Sequence, residues 1–146
     1  MDKTFEESFS KIQSEMVSTC LDYCEKKVET IFIFLFFRDS NITSTYFFKH
    51  NGVIVRNLEA CEDFLFESPK QINVSRIIAR LACDLEDLCE EWEQATPTEA
   101  KLTYDVQTGE FDAKYRYDDV NDILVNGKIA ADISAEWIAE LEASLE

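Results

Sequence analysis

The sequence predicts an α+β fold, in which one antiparallel sheet of about five strands carries helices in the order α-β-β-β-α-β-β-α. Three observations lead to this prediction: an apolar run from Ile31 to Phe37, two long segments whose apolar residues have helical spacing, and a strongly alternating hairpin over residues 100–118. The length of 146 residues fits one domain, and an apolar fraction of 46% is typical of a chain that folds. We therefore expect residues 1–146 to form a single domain.

The first helix is expected to begin at Thr4. Thr4 and Glu7 have the spacing of a capping box, in which each side chain accepts a hydrogen bond from the backbone N–H of the other residue. Apolar residues then recur every three or four positions and predict one buried stripe, formed by Phe5, Phe9, Ile12, Met16, Cys20 and Tyr23.

The segment Thr30–Asp39 contains seven consecutive apolar residues and is expected to form the central strand. Its β-branched and aromatic residues favour a strand over a helix. Side chains alternate along a strand, which predicts two apolar sets on opposite faces: Ile31, Ile33, Leu35 and Phe37 on one, and Phe32, Phe34 and Phe36 on the other. Since both sets are large, we expect helices to cover one face and a loop or a partner to cover the other.

Two shorter strands are expected next, after a polar turn at Asp39–Thr43. They are Ser44–Lys49 and Val53–Arg56, joined by a turn at His50-Asn51-Gly52, because an Asn-Gly pair favours a tight hairpin. Residues 57–72 give no clear signal for a helix or a strand.

A second helix is expected from about Asn73 to Ala95, with Asn73 or Ser75 as its N-cap. Its buried stripe is predicted to consist of Val74, Ile77, Ile78, Leu81, Leu85, Leu88 and Trp92. The opposite face is acidic, with no Lys or Arg between Leu81 and Glu99, and Asp87 and Glu90 lie near its centre. Two interpretations stay open: a face that only meets water, the commoner role of such a charge run, and a surface that binds a partner.

A second hairpin is predicted from Ala100–Val106 and Glu110–Asp118 across a Gln107-Thr108-Gly109 turn. One face should be covered by the core, and carries Leu102, Tyr104, Val106, Phe111, Ala113, Tyr115 and Tyr117. The other face should be wet, and carries Thr103, Asp105, Asp112, Lys114, Arg116 and Asp118. After an irregular segment at residues 120–131, a last helix at about Ser134–Leu145 should pack Trp137, Ile138, Leu141 and Leu145.

The five cysteines predict free thiols in a reducing cytoplasm. Their number is odd, and Cys20 and Cys24 lie one helical turn apart, which is a poor arrangement for a disulfide. Cys83 falls on the outward side of the second helix, where it is either exposed and oxidisable or covered by the segment around Phe64–Phe66, and we expect the second. The N-terminus lacks the pattern of a signal peptide and no segment is long enough to cross a membrane, so we expect a cytoplasmic protein.

The charge is strongly acidic, with 30 acidic and 14 basic residues and a formal net charge of −16. Such a charge repels nucleic acid and anionic membranes and speeds association with a basic partner. An acidic protein without a basic partner explains the charge equally well.

The sequence shows no catalytic motif, so we expect no enzymatic activity, no cofactor and no metal. His50 is the single histidine and lies in a predicted hairpin tip, without a nucleophile placed beside it. Three glycines are too few for a glycine-rich phosphate loop, and the cysteines lack the paired C-x-x-C spacing of a structural zinc site.

The second hairpin carries Pro97-Thr98, Leu102-Thr103-Tyr104-Asp105, Thr108-Gly109-Glu110-Phe111 and Tyr115-Arg116-Tyr117-Asp118-Asp119-Val120. In these residues the chain resembles the YezG-like immunity proteins. The order of elements is similar from about residue 4 to residue 120, and the resemblance is sharpest over Thr98–Val120. The tail departs from the family's basic, Trp-containing closing motif, since here Trp137 stands in an acidic helix.

The resemblance implies a single immunity-type domain that acts in the cytoplasm, where it binds and neutralises a cognate toxin that is secreted or delivered by contact. The resemblance also implies that the toxin is a nuclease domain, and a basic one is compatible with the charge, because a nuclease cleft attracts phosphate and an acidic protein can cover it. The residues expected to contact the toxin are Asp105, Asp112, Lys114, Arg116, Asp118, Asp119, Asp87 and Glu90. The alternative is an acidic secretion chaperone of the type III kind, which would hold an extended effector segment. Direct binding to nucleic acid or membrane is not expected.

Overall fold

The computed structural model describes residues 4–38, 41–56 and 71–145, without the side chains of residues 71 and 72. Its elements are α1 (Phe5–Tyr23), β1 (Thr30–Arg38), β2 (Asn41–His50), β3 (Val53–Val55), α2 (Gln71–Glu91), β4 (Glu99–Asp105), β5 (Phe111–Arg116), α3 (Val120–Ile123) and α4 (Ala130–Ser144). The strands form one antiparallel sheet in the order β3-β2-β1-β4-β5. The predicted α+β fold is confirmed, and α3 is an additional short helix in the segment expected to be irregular.

The strand β1 lies at the centre of the sheet, between β2 and β4. Its predicted alternation is confirmed, because Ile31, Ile33, Leu35 and Phe37 belong to one buried cluster and Phe32, Phe34 and Phe36 to another. The first cluster is completed by α1 and α2, through residues such as Met16 and Leu85.

The second face of the sheet is covered by the chain itself. The expectation of a loop or a partner on this face, with all helices on the other, is wrong, since α4 packs Trp137 and Ile138 against Phe32, Phe34 and Phe47. The helix α4 begins at Ala130, four residues earlier than predicted, and Asp132 Oδ2 accepts a hydrogen bond from Ile129 N at 2.9 Å at its start. This extra turn places Ile133 in the same apolar cluster.

The helix α1 begins as the sequence predicts. Thr4 Oγ1 accepts a hydrogen bond from Glu7 N at 3.1 Å, which is one half of the expected capping box. The later part of the predicted stripe is buried, whereas Phe5, Phe9 and Ile12 are half-buried at the margin of the core.

Several boundaries and cap assignments differ from the predictions. β2 begins at Asn41 rather than at Ser44, and β3 ends at Val55. The helix α2 already includes Gln71, so the prediction that Asn73 or Ser75 caps it is wrong. The predicted segment around Phe64–Phe66 lies outside the described residues.

The buried stripe of α2 is rotated relative to the predicted one and consists of Val74, Ile78, Leu81, Ala82, Leu85 and Cys89. Ile77 is exposed because it lies about 100° around the helix from the centre of this stripe, and Trp92 is exposed because it follows the last helical residue. Cys83 is also exposed, so the expectation that it is covered is wrong: the helix turns it away from the sheet. Within the described ranges, no helix combines the length and apolar character needed to cross a membrane.

Candidate partner-binding surfaces

The outward face of α2 and the turn after it form a concentrated acidic surface. Its exposed carboxylates belong to Asp84, Asp87, Glu90, Glu91 and Glu93. None of them forms an ion pair with a Lys or Arg of the described chain. Partial burial and then the nearby carboxylates of Glu90 and Asp87 raise the pKa of Glu86. Asp87 and Glu90 therefore lie where the sequence predicts, on an acidic surface whose carboxylates form no ion pair within the described residues.

The polar face of the β4–β5 hairpin is wet only along β5, where Asp112, Lys114 and Arg116 are exposed. The prediction of a fully wet face is wrong for β4, because Trp137 of α4 contacts Lys101, and Leu141 of α4 lines a cavity together with Thr103 and Asp105. Lys101 Nζ lies 5.6 Å from the centre of the Trp137 ring, and Thr103 and Asp105 are half-buried.

A buried carboxylate at the start of β4, Glu99, was not identified from the sequence. Its side chain is 1% exposed, with Lys101 Nζ 3.2 Å from Oε1 and Arg116 Nη1 3.6 Å from Oε2. Arg116 also donates to Asp118 Oδ2 through Nε at 3.1 Å and Nη2 at 2.9 Å. Because a buried charge needs a compensating partner, Arg116 is engaged within the hairpin.

Two more of the predicted contact residues have local structural roles. Asp105 Oδ1 accepts hydrogen bonds from the backbone N–H groups of Gln107 at 2.9 Å and Thr108 at 3.0 Å, which closes the β4–β5 turn. Asp119 Oδ1 accepts from Asn121 N at 2.8 Å and caps α3. Among the predicted contact residues, Asp87, Glu90, Asp112 and Lys114 are exposed and their side chains form no hydrogen bond or ion pair with another described residue.

A groove that the sequence did not predict runs between α1 and β5; we refer to it as the α1–β5 groove. One end is a cavity of about 420 Å³ lined by Phe5, Glu6, Phe9, Ser10, Gln13, Gln94, Ala95, Tyr115 and Tyr117. The other is a cavity of about 280 Å³ lined by Ser10, Gln13, Ser14, Val17, Ser18, Leu21, Tyr104 and Phe111. The two share Ser10 and Gln13, so they adjoin each other along the helix.

The middle of the α1–β5 groove is fixed by a polar contact. Gln13 is 6% exposed, and its Nε2 donates a hydrogen bond to the hydroxyl of Tyr115. Burial, and then the neighbouring Tyr117, raises the pKa of Tyr115 to about 12, so its hydroxyl is protonated at neutral pH. The contact holds α1 in place beside the strand.

Exposed aromatic side chains lie at both ends of the groove. Tyr117 is 59% exposed and Phe111 is 44% exposed, although the sequence places both on the covered face of the hairpin. Trp92, 42% exposed at the end of the acidic surface, contacts Phe5 with ring centroids 6.3 Å apart. One sequence signal could have indicated the groove: Ser10, Ser14 and Ser18 recur at every fourth position beside the apolar stripe of α1.

The described residues contain no group of three or more His, Cys, Asp and Glu side chains that could hold a metal ion. His50 is buried and pairs with Val53 across the Asn51-Gly52 turn, so the predicted hairpin at this position is confirmed. Comparison with models of known protein families gives no match for this sequence, and comparison with curated proteins gives none either.

Proposed function

We propose that this chain is a bacterial immunity protein, which binds a cognate toxin in the cytoplasm and neutralises it. The toxin is secreted or delivered by contact between competing cells, and its active part is a basic nuclease domain. The resemblance of the second hairpin to immunity proteins supports this proposal, and so does the formal net charge of −16. The chain itself performs no catalysis in this role.

The observation that carries the proposal is the acidic outward face of α2. Glu86 and Glu90 are one turn apart, as are Asp87 and Glu91, and a pair of like charges at this spacing destabilises a helix by about 0.2–0.5 kcal/mol. These two pairs therefore lower the stability of the free helix. A basic partner would relieve the repulsion, and complementary charge would raise the association rate.

The test is a pair of double variants measured against the toxin domain encoded next to this chain. Asp87→Lys/Glu90→Lys reverses two charges on α2, and Glu140→Lys/Glu142→Lys reverses two exposed charges on α4. Both variants change the formal net charge from −16 to −12, so they differ only in where the charge is removed.

The α2 variant should slow association by about tenfold at low salt, and the difference should shrink at about 1 M salt, where the Debye length falls to about 3 Å. The α4 variant should show a much smaller effect. Equal effects of the two variants would show that only net charge matters and would remove α2 from the binding surface.

A secretion chaperone is the second candidate, and the α1–β5 groove favours it, because a chaperone holds an extended client along a groove and this one carries apolar residues such as Phe9 and Val17. The two functions differ in the state of the partner. An immunity protein binds a folded toxin domain, whereas a chaperone binds an extended segment that is removed from its own fold. Binding to the folded toxin domain, but not to its unfolded chain, would support immunity.

A further inference from the structure

The strand β5 lies at the edge of the sheet and, in the described part of the chain, pairs with β4 alone. Asp105 N donates to Glu110 O at 2.9 Å, so these two residues form a hydrogen-bonded pair just before β5 begins. Bonded and non-bonded pairs alternate along an antiparallel ladder. The backbone N–H and C=O groups of Phe111, Ala113 and Tyr115 therefore point away from β4, toward the open side of the sheet.

The same three residues direct their side chains toward α1. Phe111 and Tyr115 line the α1–β5 groove, and the Tyr115 ring contacts Phe9 with centroids 5.7 Å apart. In an added strand, residues directly opposite these three would place their side chains on the same face of the sheet. Alternate side chains of that strand would then lie beside the groove, where Ser10 and Ser14 of α1 leave room for them.

We propose that one strand of the toxin partner adds to the open edge of β5 and inserts its alternate side chains into the α1–β5 groove. This inference rests on the proposed function and names a second contact surface besides the acidic face of α2. Main-chain hydrogen bonds to Phe111, Ala113 and Tyr115 supply affinity, and the groove selects the side chains.

The lining of the groove defines the chemistry of that strand. Among the described residues, most of the lining is aromatic, aliphatic or polar and uncharged, and Glu6 is the single charged one. The partner strand therefore carries apolar residues at alternate positions and a Lys or Arg at the end that meets Glu6. A basic toxin supplies such a Lys or Arg. Glu7, one residue further along α1, adds a second carboxylate at this end and strengthens the attraction.

Two cations on the other face of β5 do not block this edge. Arg116 is paired with Glu99 and Asp118. Lys114 is exposed on the face of the sheet opposite the groove, since its neighbours Ala113 and Tyr115 point to the groove side. A single charge of this kind discourages unselective pairing of an edge strand.

The first test uses the wild-type chain and the toxin domain encoded next to it, and measures amide hydrogen exchange by NMR. Binding should slow the exchange of the Ala113 and Tyr115 amides by at least about tenfold, because both become hydrogen-bonded donors. The amides of β3, at the opposite edge of the sheet, should keep their exchange rates. A complex in which the Ala113 and Tyr115 amides exchange as in the free chain overturns the inference.

The second test uses variants of the edge. Ala113→Pro removes an N–H that points away from β4, so the sheet keeps its ladder while the added strand loses a donor. Phe111→Lys places a charge in the groove, and Val53→Lys is its matched control, since Val53 is an exposed apolar residue of the edge strand β3. The first two variants should raise the Kd for the toxin by at least about tenfold, and the control by less than about twofold.

The outcomes separate this inference from the proposed function. If the toxin binds the wild type and all three variants equally, the strand addition is wrong and the immunity function stands. If the toxin binds none of them, both are wrong. If the free chain is a dimer that Ala113→Pro converts to a monomer, a second copy occupies the β5 edge and the inference is overturned. Circular dichroism of Ala113→Pro checks that it folds, and the exchange experiment does not depend on it.

Discussion

The packing of α4 on the second face of the sheet can be tested by replacing Trp137 with alanine. The Trp137 side chain is 8% exposed, and its ring centroid lies 5.7 Å from Phe32, 6.4 Å from Phe34 and 5.2 Å from Phe47. Each aromatic pair contributes about 0.5–1.5 kcal/mol beyond the area it buries, and truncating a buried Trp to Ala costs about 3–5 kcal/mol in total. The free energy of unfolding of a domain is about 5–15 kcal/mol, so Trp137→Ala should remove a large part of it.

The assay is urea unfolding followed by circular dichroism, with Trp92→Ala as the matched control. The chain has two tryptophans, and Trp92 is 42% exposed with one aromatic neighbour among the described residues, so its loss should cost about 1 kcal/mol or less. In a Trp92→Phe background, the fluorescence of Trp137 should report a buried ring that becomes exposed together with the loss of the sheet.

Equal losses of stability for Trp137→Ala and Trp92→Ala would refute this reasoning. So would a native Trp137 emission typical of a ring in water. Either result would mean that α4 does not cover Phe32, Phe34 and Phe47. The second face of the sheet would then be accessible to a partner.

Two further predictions concern single side chains. In a Cys61→Ser background, a thiol reagent should modify Cys83 quickly in the native protein, because Cys83 is exposed. Cys20, Cys24 and Cys89 should react only after unfolding, because they are buried and burial raises the pKa of their thiols. More than one fast-reacting thiol in the native protein would contradict the structure. Glu86→Gln should stabilise the chain at about pH 7 by about 0.2–0.5 kcal/mol. The pKa of Glu86 is raised in the folded state, so the folded chain keeps this proton to a higher pH than the unfolded chain does. The ionised carboxylate therefore destabilises the fold progressively as pH rises from the ordinary Glu value through the folded pKa. Below the ordinary Glu value this destabilisation is absent. Urea unfolding at about pH 7 and about pH 4 checks this, and a gain of equal size at both values would contradict it.

The central strand could be predicted because its sequence leaves few alternatives. An apolar run of β-branched and aromatic residues is unfavourable on a surface, and strict alternation then assigns Ile33 and Phe34 to opposite faces. What covers each face depends on the path of the chain over the sheet. The stripe of α4 formed by Ile133, Trp137 and Ile138 is evident in the sequence, but the sequence does not say on which face it lies.

For the candidate surfaces too, the sequence predicts what local periodicity determines and misses what depends on three-dimensional packing. Asp87 and Glu90 were placed outward correctly, because helical periodicity alone fixes their direction. Asp105 and Asp119 were assigned to the partner surface, but in the structure their carboxylates accept hydrogen bonds from backbone N–H groups. This role depends on the local turn geometry. The α1–β5 groove could not be predicted, because it forms only where α1 meets the hairpin in three dimensions.

The most direct test of the proposed function is co-expression of this chain with the toxin domain encoded next to it, followed by growth measurement and purification. The account predicts that the wild-type chain restores growth and is recovered with the folded toxin domain in a tight one-to-one complex. Failure to restore growth together with the absence of a complex would contradict it. Recovery of an extended effector segment instead of a folded toxin would assign the chain to the secretion chaperones.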